Sequence, residues 1–236
     1  MRILTIALLA TLFRMTVMAE QPKEYHAVVT AKRTYMDATR ETKSEYWFTN
    51  DKTYISNGRV STIIRKDLGV IYTVIVRSNQ YYVDSIKPAK KEAPEIKELD
   101  FKHIGVDRYT ADYDWTVERK SGKDTAGLFS SVHYLADGDA DFDQVSLEYW
   151  ISKPDDPEMA LLFREIQLNS MSSLTSRKPL IDLLRKNKRC IPVKIIELID
   201  NPIAPPILNR IIVEKLEIAN APENVFELPT GAKKAN

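Results

Sequence analysis

Alternation of apolar and polar residues with a period of two, interrupted by turn-forming pairs, constrains this chain more than any other feature. From Tyr25 the positions Tyr25, Ala27, Val29 and Ala31 are apolar and His26, Thr30 and Lys32 are polar, with Tyr35 following a break at Arg33. Side chains on a strand point alternately to its two faces, so this pattern predicts a half-buried strand. Glu45 to Thr49 predicts a second strand. Asn50 with Asp51, and Asn57 with Gly58, are turn signals on either side of Lys52 to Ser56, and Asp67 to Gly69 separates Val60 to Lys66 from Val70 to Arg77. A meander of short antiparallel strands follows, continued by Gln80 to Val83. In Tyr109 to Val117 the alternation sends Tyr109, Ala111, Tyr113, Trp115 and Val117 inward. Between them Lys87 to Pro94 has no apolar period and reads as a solvated loop.

Later in the chain the period changes. Val145, Leu147, Tyr149 and Ile151 still alternate, but Asp155, Asp156 and Pro157 then supply an N-cap and a first-turn proline. Met159, Leu162, Phe163 and Ile166 follow at helical spacing. Lys178 and Pro179 open a second short helix with Leu180, Leu183 and Leu184. Ile191 to Ile199 and Ile207 to Ile218 are rich in β-branched residues and return to strand. Pro222, Pro229 and Gly231 break up a final extended segment around Val225 and Phe226.

Composition sets the class. Among 236 residues, 34 Lys and Arg nearly balance 33 Asp and Glu, and 44% are hydrophobic, so the chain folds and has no strongly basic face for nucleic acid. The single Cys rules out an intramolecular disulfide framework and a multi-thiolate zinc site. Residues 1–19 read as a signal peptide: Arg2, an apolar run from Ile3 to Phe13 too short for the roughly 20 residues of a membrane span, then small residues at Val17 and Ala19. Arg14, a charge behind the apolar run, is the anomaly, and a retained interfacial anchor is the lesser alternative. With no Cys at the cleavage point, lipid attachment there is unavailable. The expected product is a periplasmic protein, not lipid-anchored, made of one domain over 20–236 and starting near Glu20. A domain of that size buries roughly 70% of its unfolded surface and needs no disulfide.

No constellation of catalytic chemistry stands out. Asp137, Asp139, Asp141 and Asp143, with Glu148 at the twelfth place, imitate the ligand spacing of a calcium loop. Position six is Phe142, where the turn requires Gly, and a strand follows, so a solvated hairpin loop is the expectation and no metal is assigned. His26, His103 and His133 have no nucleophile or metal motif beside them, and His26 falls on the polar side of its strand. Cys190 borders an Ile-rich strand and reads as a small buried hydrophobe. No cofactor is implied and no enzyme is expected.

Several segments together resemble a known family. They are Thr62 to Tyr72 running into Tyr81, Tyr82 and Val83; Leu147 to Ser152; Ile191 to Lys194; and Phe226 to Lys234, where Ala232 replaces a more usual Tyr. In this order the chain resembles the outer-membrane lipoprotein-sorting superfamily, LolA/LolB-like, in its uncharacterised periplasmic branch. The resemblance implies a mainly β (α+β) fold: a curved antiparallel sheet forming an incomplete barrel, with two or more helices covering the concave face. It also implies carriage of an acyl chain in that concavity.

The expected lining is Val29, Tyr46, Phe48, Tyr72, Trp115, Leu147 and Tyr149 on the sheet, with Phe163 and Leu183 on the helical cover. If that cover packs fully, the same residues are only a core. The expected function is a carrier of a hydrophobic ligand, a lipid or the acyl chain of a lipoprotein, with an envelope membrane protein as a candidate partner. The alternative is a non-catalytic structural or partner-binding module of the envelope.

Overall fold

The computed structural model describes residues 22–86, 113–122, 124–140, 143–171 and 175–235. The expected signal peptide, the loop from Lys87 to Pro94, His103, Asp141 and the strand residues 109–112 lie outside them.

Thirteen strands form one open sheet. They are β1 (Tyr25–Tyr35), β2 (Ala38–Phe48), β3 (Lys52–Ser56), β4 (Val60–Arg65), β5 (Val70–Ile75), β6 (Gln80–Ser85), β7 (Asp114–Arg119), β8 (Asp124–Ala126), β9 (Phe129–Asp139), β10 (Gln144–Ser152), β11 (Ile191–Asn201), β12 (Ala204–Ile218) and β13 (Lys233–Lys234). Their order across the sheet is β13-β6-β5-β4-β3-β2-β1-β12-β11-β10-β9-β7, with β8 also paired to β9. All pairs are antiparallel except β13 with β6. The end strands do not meet, so the sheet is the expected incomplete barrel under a helical lid. Helices α1 (Pro157–Met171) and α2 (Lys178–Lys186) both lie on one face, called inner below.

Besides the short strands β8 and β13, which the alternation does not predict, the sheet departs from expectation at β2 and β9. β2 begins at Ala38, seven residues before the predicted strand at Glu45, because its polar half pairs residue for residue with β1 from Tyr35 opposite Ala38 to Tyr25 opposite Phe48. Met36, at φ 51°, turns the chain there. β9 had no separate prediction, and Asp137 to Asp143 was read as a loop. Asp137 and Asp139 instead lie in β9, and the turn closes at Ala140, whose N–H donates to the Asp143 carbonyl. Gly138 permits this pairing: a Cβ there would stand 2.9 Å from the Trp115 ring, closer than atoms pack.

The helices begin as their sequences predict. Asp156 Oδ1 accepts the N–H groups of Glu158 and Met159 at 3.0 and 2.9 Å, capping α1 ahead of Pro157. Met159, Ala160, Leu162 and Phe163 face the sheet and are buried. In α2 the buried residues are Leu180, Ile181 and Leu184, while Leu183 stays half-buried. Arg164 ties the helices together by donating to the Leu184 carbonyl at 2.9 Å, alongside the Asn187 N–H that the same carbonyl accepts at 3.3 Å.

Candidate functional site

The inner face divides into a closed region and an open one. Under α1, Tyr25, Phe48 and Phe163 stack with ring centroids 5.4 and 5.8 Å apart, and Tyr46 meets Phe163 edge-on at 6.0 Å. Val29 and Val213 complete that cluster. Under α2, Leu147, Tyr149, Ala136 and Ile195 pack against Leu180, Ile181 and Leu184. Tyr149 stacks on Tyr134 at 5.2 Å, and burial, then the neighbouring Tyr134, push its hydroxyl up to about 12.

Of the expected lining, Val29, Phe48, Leu147, Tyr149 and Phe163 are therefore closed core in this conformation. Tyr46, Trp115 and Leu183 sit half-buried at its margins. Tyr72 is on the other face. Counting the register outward from Tyr46 through Ile55, Thr62 and Thr73 places Ile71, Thr73 and Ile75 inward, and Tyr72 outward against Tyr81. Both alternate sets in Val70 to Ile75 are apolar, so the pattern alone does not choose between them. The C-terminal segment decides it by lying against the outer face. There Arg65 donates to the Phe226 carbonyl and the Glu227 carboxylate, and Lys52 sits over the Phe226 ring at 6.0 Å.

Among the described residues, no helix covers the inner face of β3 to β5. Ile55, Ile64, Ile71 and Ile75 are half-buried there, next to Tyr82 on β6, which is 49% exposed. Neither hydrophobic cluster beneath the helices includes a residue of these strands. The lane begins beside Tyr46, at the edge of α1.

At the far end of β1 and β2 the inner face turns polar. Glu197 is 2% exposed, with Oε1 receiving Ser176 Oγ at 2.7 Å and Arg177 Nε at 3.1 Å. Its Oε2 receives the Arg177 guanidinium and the Asn209 amide, each at 2.8 Å. Burial pushes this carboxyl up, but the Arg177 bonds and charge, with Ser176 and Asn209, outweigh it and hold the group below the usual glutamate value. Beside this cluster lies a cavity of about 320 Å³ whose lining includes Ala31, Thr42, Ile211, Arg33, Arg40 and Arg177.

His26, on the polar side of β1, is not left to solvent there. His26 is buried, not solvated: on the outer face it stacks on Trp47 at 4.1 Å, and its Nε2 lies 3.1 Å from Glu45 Oε1. The arrangement recurs. His133 stacks on Trp150 at 4.1 Å, with Nε2 3.3 Å from a Glu148 carboxylate oxygen. The tripeptide Glu-Tyr-Trp occurs at 45–47 and again at 148–150, and in both hairpins the Trp is registered opposite the His of the preceding strand. That repetition was a readable signal. In the second copy Lys194 stands 4.0 Å over the Trp150 ring, and Asp124 accepts the indole N–H at 2.8 Å. Glu148 is thus part of this packing, and Asp137 accepts from Ser146 at 2.8 Å.

No family model and no curated protein matches this chain. Among solved structures, PNGF-II is similar at 10% identity with a TM-score of 0.36, over 90% of this chain and 30% of that one. This chain therefore spans less than a third of PNGF-II. A DUF1329 family protein from Desulfovibrio piger is similar at 8% identity and a TM-score of 0.30, over 88% of this chain and 91% of that one. A LolA superfamily protein from Nitrosomonas europaea is similar at 9% identity and a TM-score of 0.28, over 87% and 90%. At these identities none supplies a residue-by-residue correspondence.

Proposed function

We infer that the protein is a periplasmic carrier that binds the acyl chain of a lipid or lipoprotein along the inner face of its sheet. The observation that carries this reading is the uneven cover: α1 and α2 close the face over β9 to β12 and the start of β1, yet leave the isoleucine lane of β3 to β5 half-exposed. A lane of this kind gives a chain apolar contact on one side and leads to the edge of α1 at Tyr46. Each buried methylene contributes about 0.8 kcal/mol, so about ten yield roughly 8 kcal/mol before ordering costs. A net energy of about 8 kcal/mol would correspond to a Kd of about 1 μM, so ordering costs place the expected Kd above that value. The reading includes no catalytic step. Among the described residues no helix is long and apolar enough to cross a membrane.

The closed core favours a second reading, a passive envelope module, because most of the expected lining is already packed. Titration of a fluorescent fatty acid decides between them. The parent is expected to bind at micromolar level, and Ile71→Asp, at a half-buried lane position, to weaken binding at least tenfold while keeping its circular dichroism and melting profile. A parent that binds nothing, or a folded Ile71→Asp that binds as tightly, leaves only the passive module.

A further inference from the structure

The cavity at the far end of β1 and β2 is unusual for its charges. Arg33 and Arg40 are registered directly opposite each other across β1 and β2, on the inner face. Like charges directly opposite on a sheet destabilise it. Nothing offsets this pair: among the described residues neither arginine has an ion-pair partner, and both are exposed. The lysine and glutamate next to them, Lys32 and Glu41, bond each other at 2.8 Å on the outer face. Arg177 is the third guanidinium, fixed from behind by Glu197. The lining also includes Lys32, which Glu41 neutralises, and Arg210; with Glu197 offsetting Arg177, the groups among the described residues that keep an uncompensated charge there are Arg33, Arg40 and Arg210. Its floor is made of small and apolar side chains, Ala31, Thr42 and Ile211.

Guanidinium groups offer paired N–H donors in a fixed fork that matches the oxygens of carboxylate and phosphate. Ile211 borders the apolar cluster that holds Val29, and Tyr46 lies six residues from Arg40 on the same strand, roughly 20 Å at about 3.4 Å per residue. A chain lying along the inner face by Tyr46 could thus place its polar end at the arginines.

We propose that Arg33, Arg40 and Arg177 form an oxyanion site that receives the carboxylate or phosphate headgroup of the carried amphiphile. This rests on the carrier reading and adds the ligand class: anionic, not neutral, lipids. Arg33 and Arg40 supply the forks, and Arg177, rigid on Glu197, sets the wall against which the headgroup seats.

The test compares laurate, dodecanol and inorganic phosphate on the full chain, by calorimetry at low and high salt. Laurate is expected to bind at least tenfold more tightly than dodecanol, and to weaken with added salt where dodecanol does not. The double variant Arg33→Gln with Arg40→Gln, both exposed and so tolerant of change, is expected to lose that preference and keep its dodecanol affinity. Laurate and dodecanol bound equally by the parent, or a double variant with the laurate preference intact, overturns the site while the carrier reading stands. If neither chain binds and phosphate does not bind, both fail. If phosphate alone binds, and only with Arg33 and Arg40 present, the oxyanion site stands with a free anion as its occupant and the carrier reading falls.

Discussion

Glu197 occupies a position where a lone carboxylate would be strongly destabilising, almost fully buried on the inner face between β10 and β12. Four hydrogen bonds from Ser176, Arg177 and Asn209 make it tolerable. Removing one member of a buried pair costs about 3–5 kcal/mol, because the other charge is left uncompensated. Glu197→Gln is therefore expected to lower stability by that order at neutral pH. The folded carboxyl titrates below the unfolded value of 4.5, so its contribution is present above pH 4.5 and is lost as pH falls through the folded value. Urea midpoints of parent and variant should thus converge on acidification, and a gap that stays constant down to pH 3 would show that another group titrates. The sequence did not disclose this cluster, since Glu197 sits within an Ile-rich strand and its partner arrives from the short turn ahead of α2. The same holds for Arg33 and Arg40. Their pairing depends on β2 extending back to Ala38, and the segment from Ala38 to Ser44 has too few apolar residues to show a strand period.

At the scale of elements, legibility followed the apolar pattern. β1, β10 and α1 were visible because apolar residues recur along them at strand or helix spacing, and β3 because turn signals flank it; β9 was hidden by Gly138 and its aspartates. For β5, where both faces are apolar, the strand was legible and its orientation was not. Helix α1 is the element whose hold on the sheet matters most for a carrier. Its first turn is fixed at Asp156, which caps two N–H groups and bonds Lys23 at 2.9 Å, and at Glu158, which receives the Tyr25 hydroxyl at 3.0 Å. The Met159 N–H first, then Lys23, hold the Asp156 carboxyl below its ordinary value despite partial burial. Loss of an N-cap side chain costs about 0.5–2 kcal/mol. Asp156→Ala is expected to lower stability by that amount and, by loosening the edge of the helix nearest Tyr25 and Phe48, to raise amide exchange in the first turn of α1 above that in α2. Equal protection in the two helices would show that the cap does not govern the lid.

For the molecule as a whole, an open sheet carries a liability that a closed barrel lacks, namely unpaired strand edges that can template association. β6 would be one such edge. The C-terminal segment covers it: Lys233 donates to the Asn79 carbonyl at 2.9 Å, Ala235 donates to the Tyr81 carbonyl at 2.8 Å, and β13 pairs alongside. The same segment shields the outer face of β3 to β5, where Ile63 and Val74 are each only 1% exposed and Arg65 is held between Asp67 and Glu227. Thus the meander is covered on the outside by the C-terminus and, among the described residues, by no helix on the inside, which is the asymmetry the carrier reading needs. Truncation after Asn220 removes the edge strand, Phe226 and the Glu227 carboxylate together, and leaves Arg65 with one acidic partner. It is expected to cost several kcal/mol, since it exposes large apolar side chains that each contribute about 1.5–3 kcal/mol when buried, and to increase self-association relative to the full chain. Light scattering and thermal melts of the truncated chain decide this. An unchanged melting temperature with no larger species would mean that the outer face of the meander is stable uncovered and that the C-terminal segment does not protect the sheet edge.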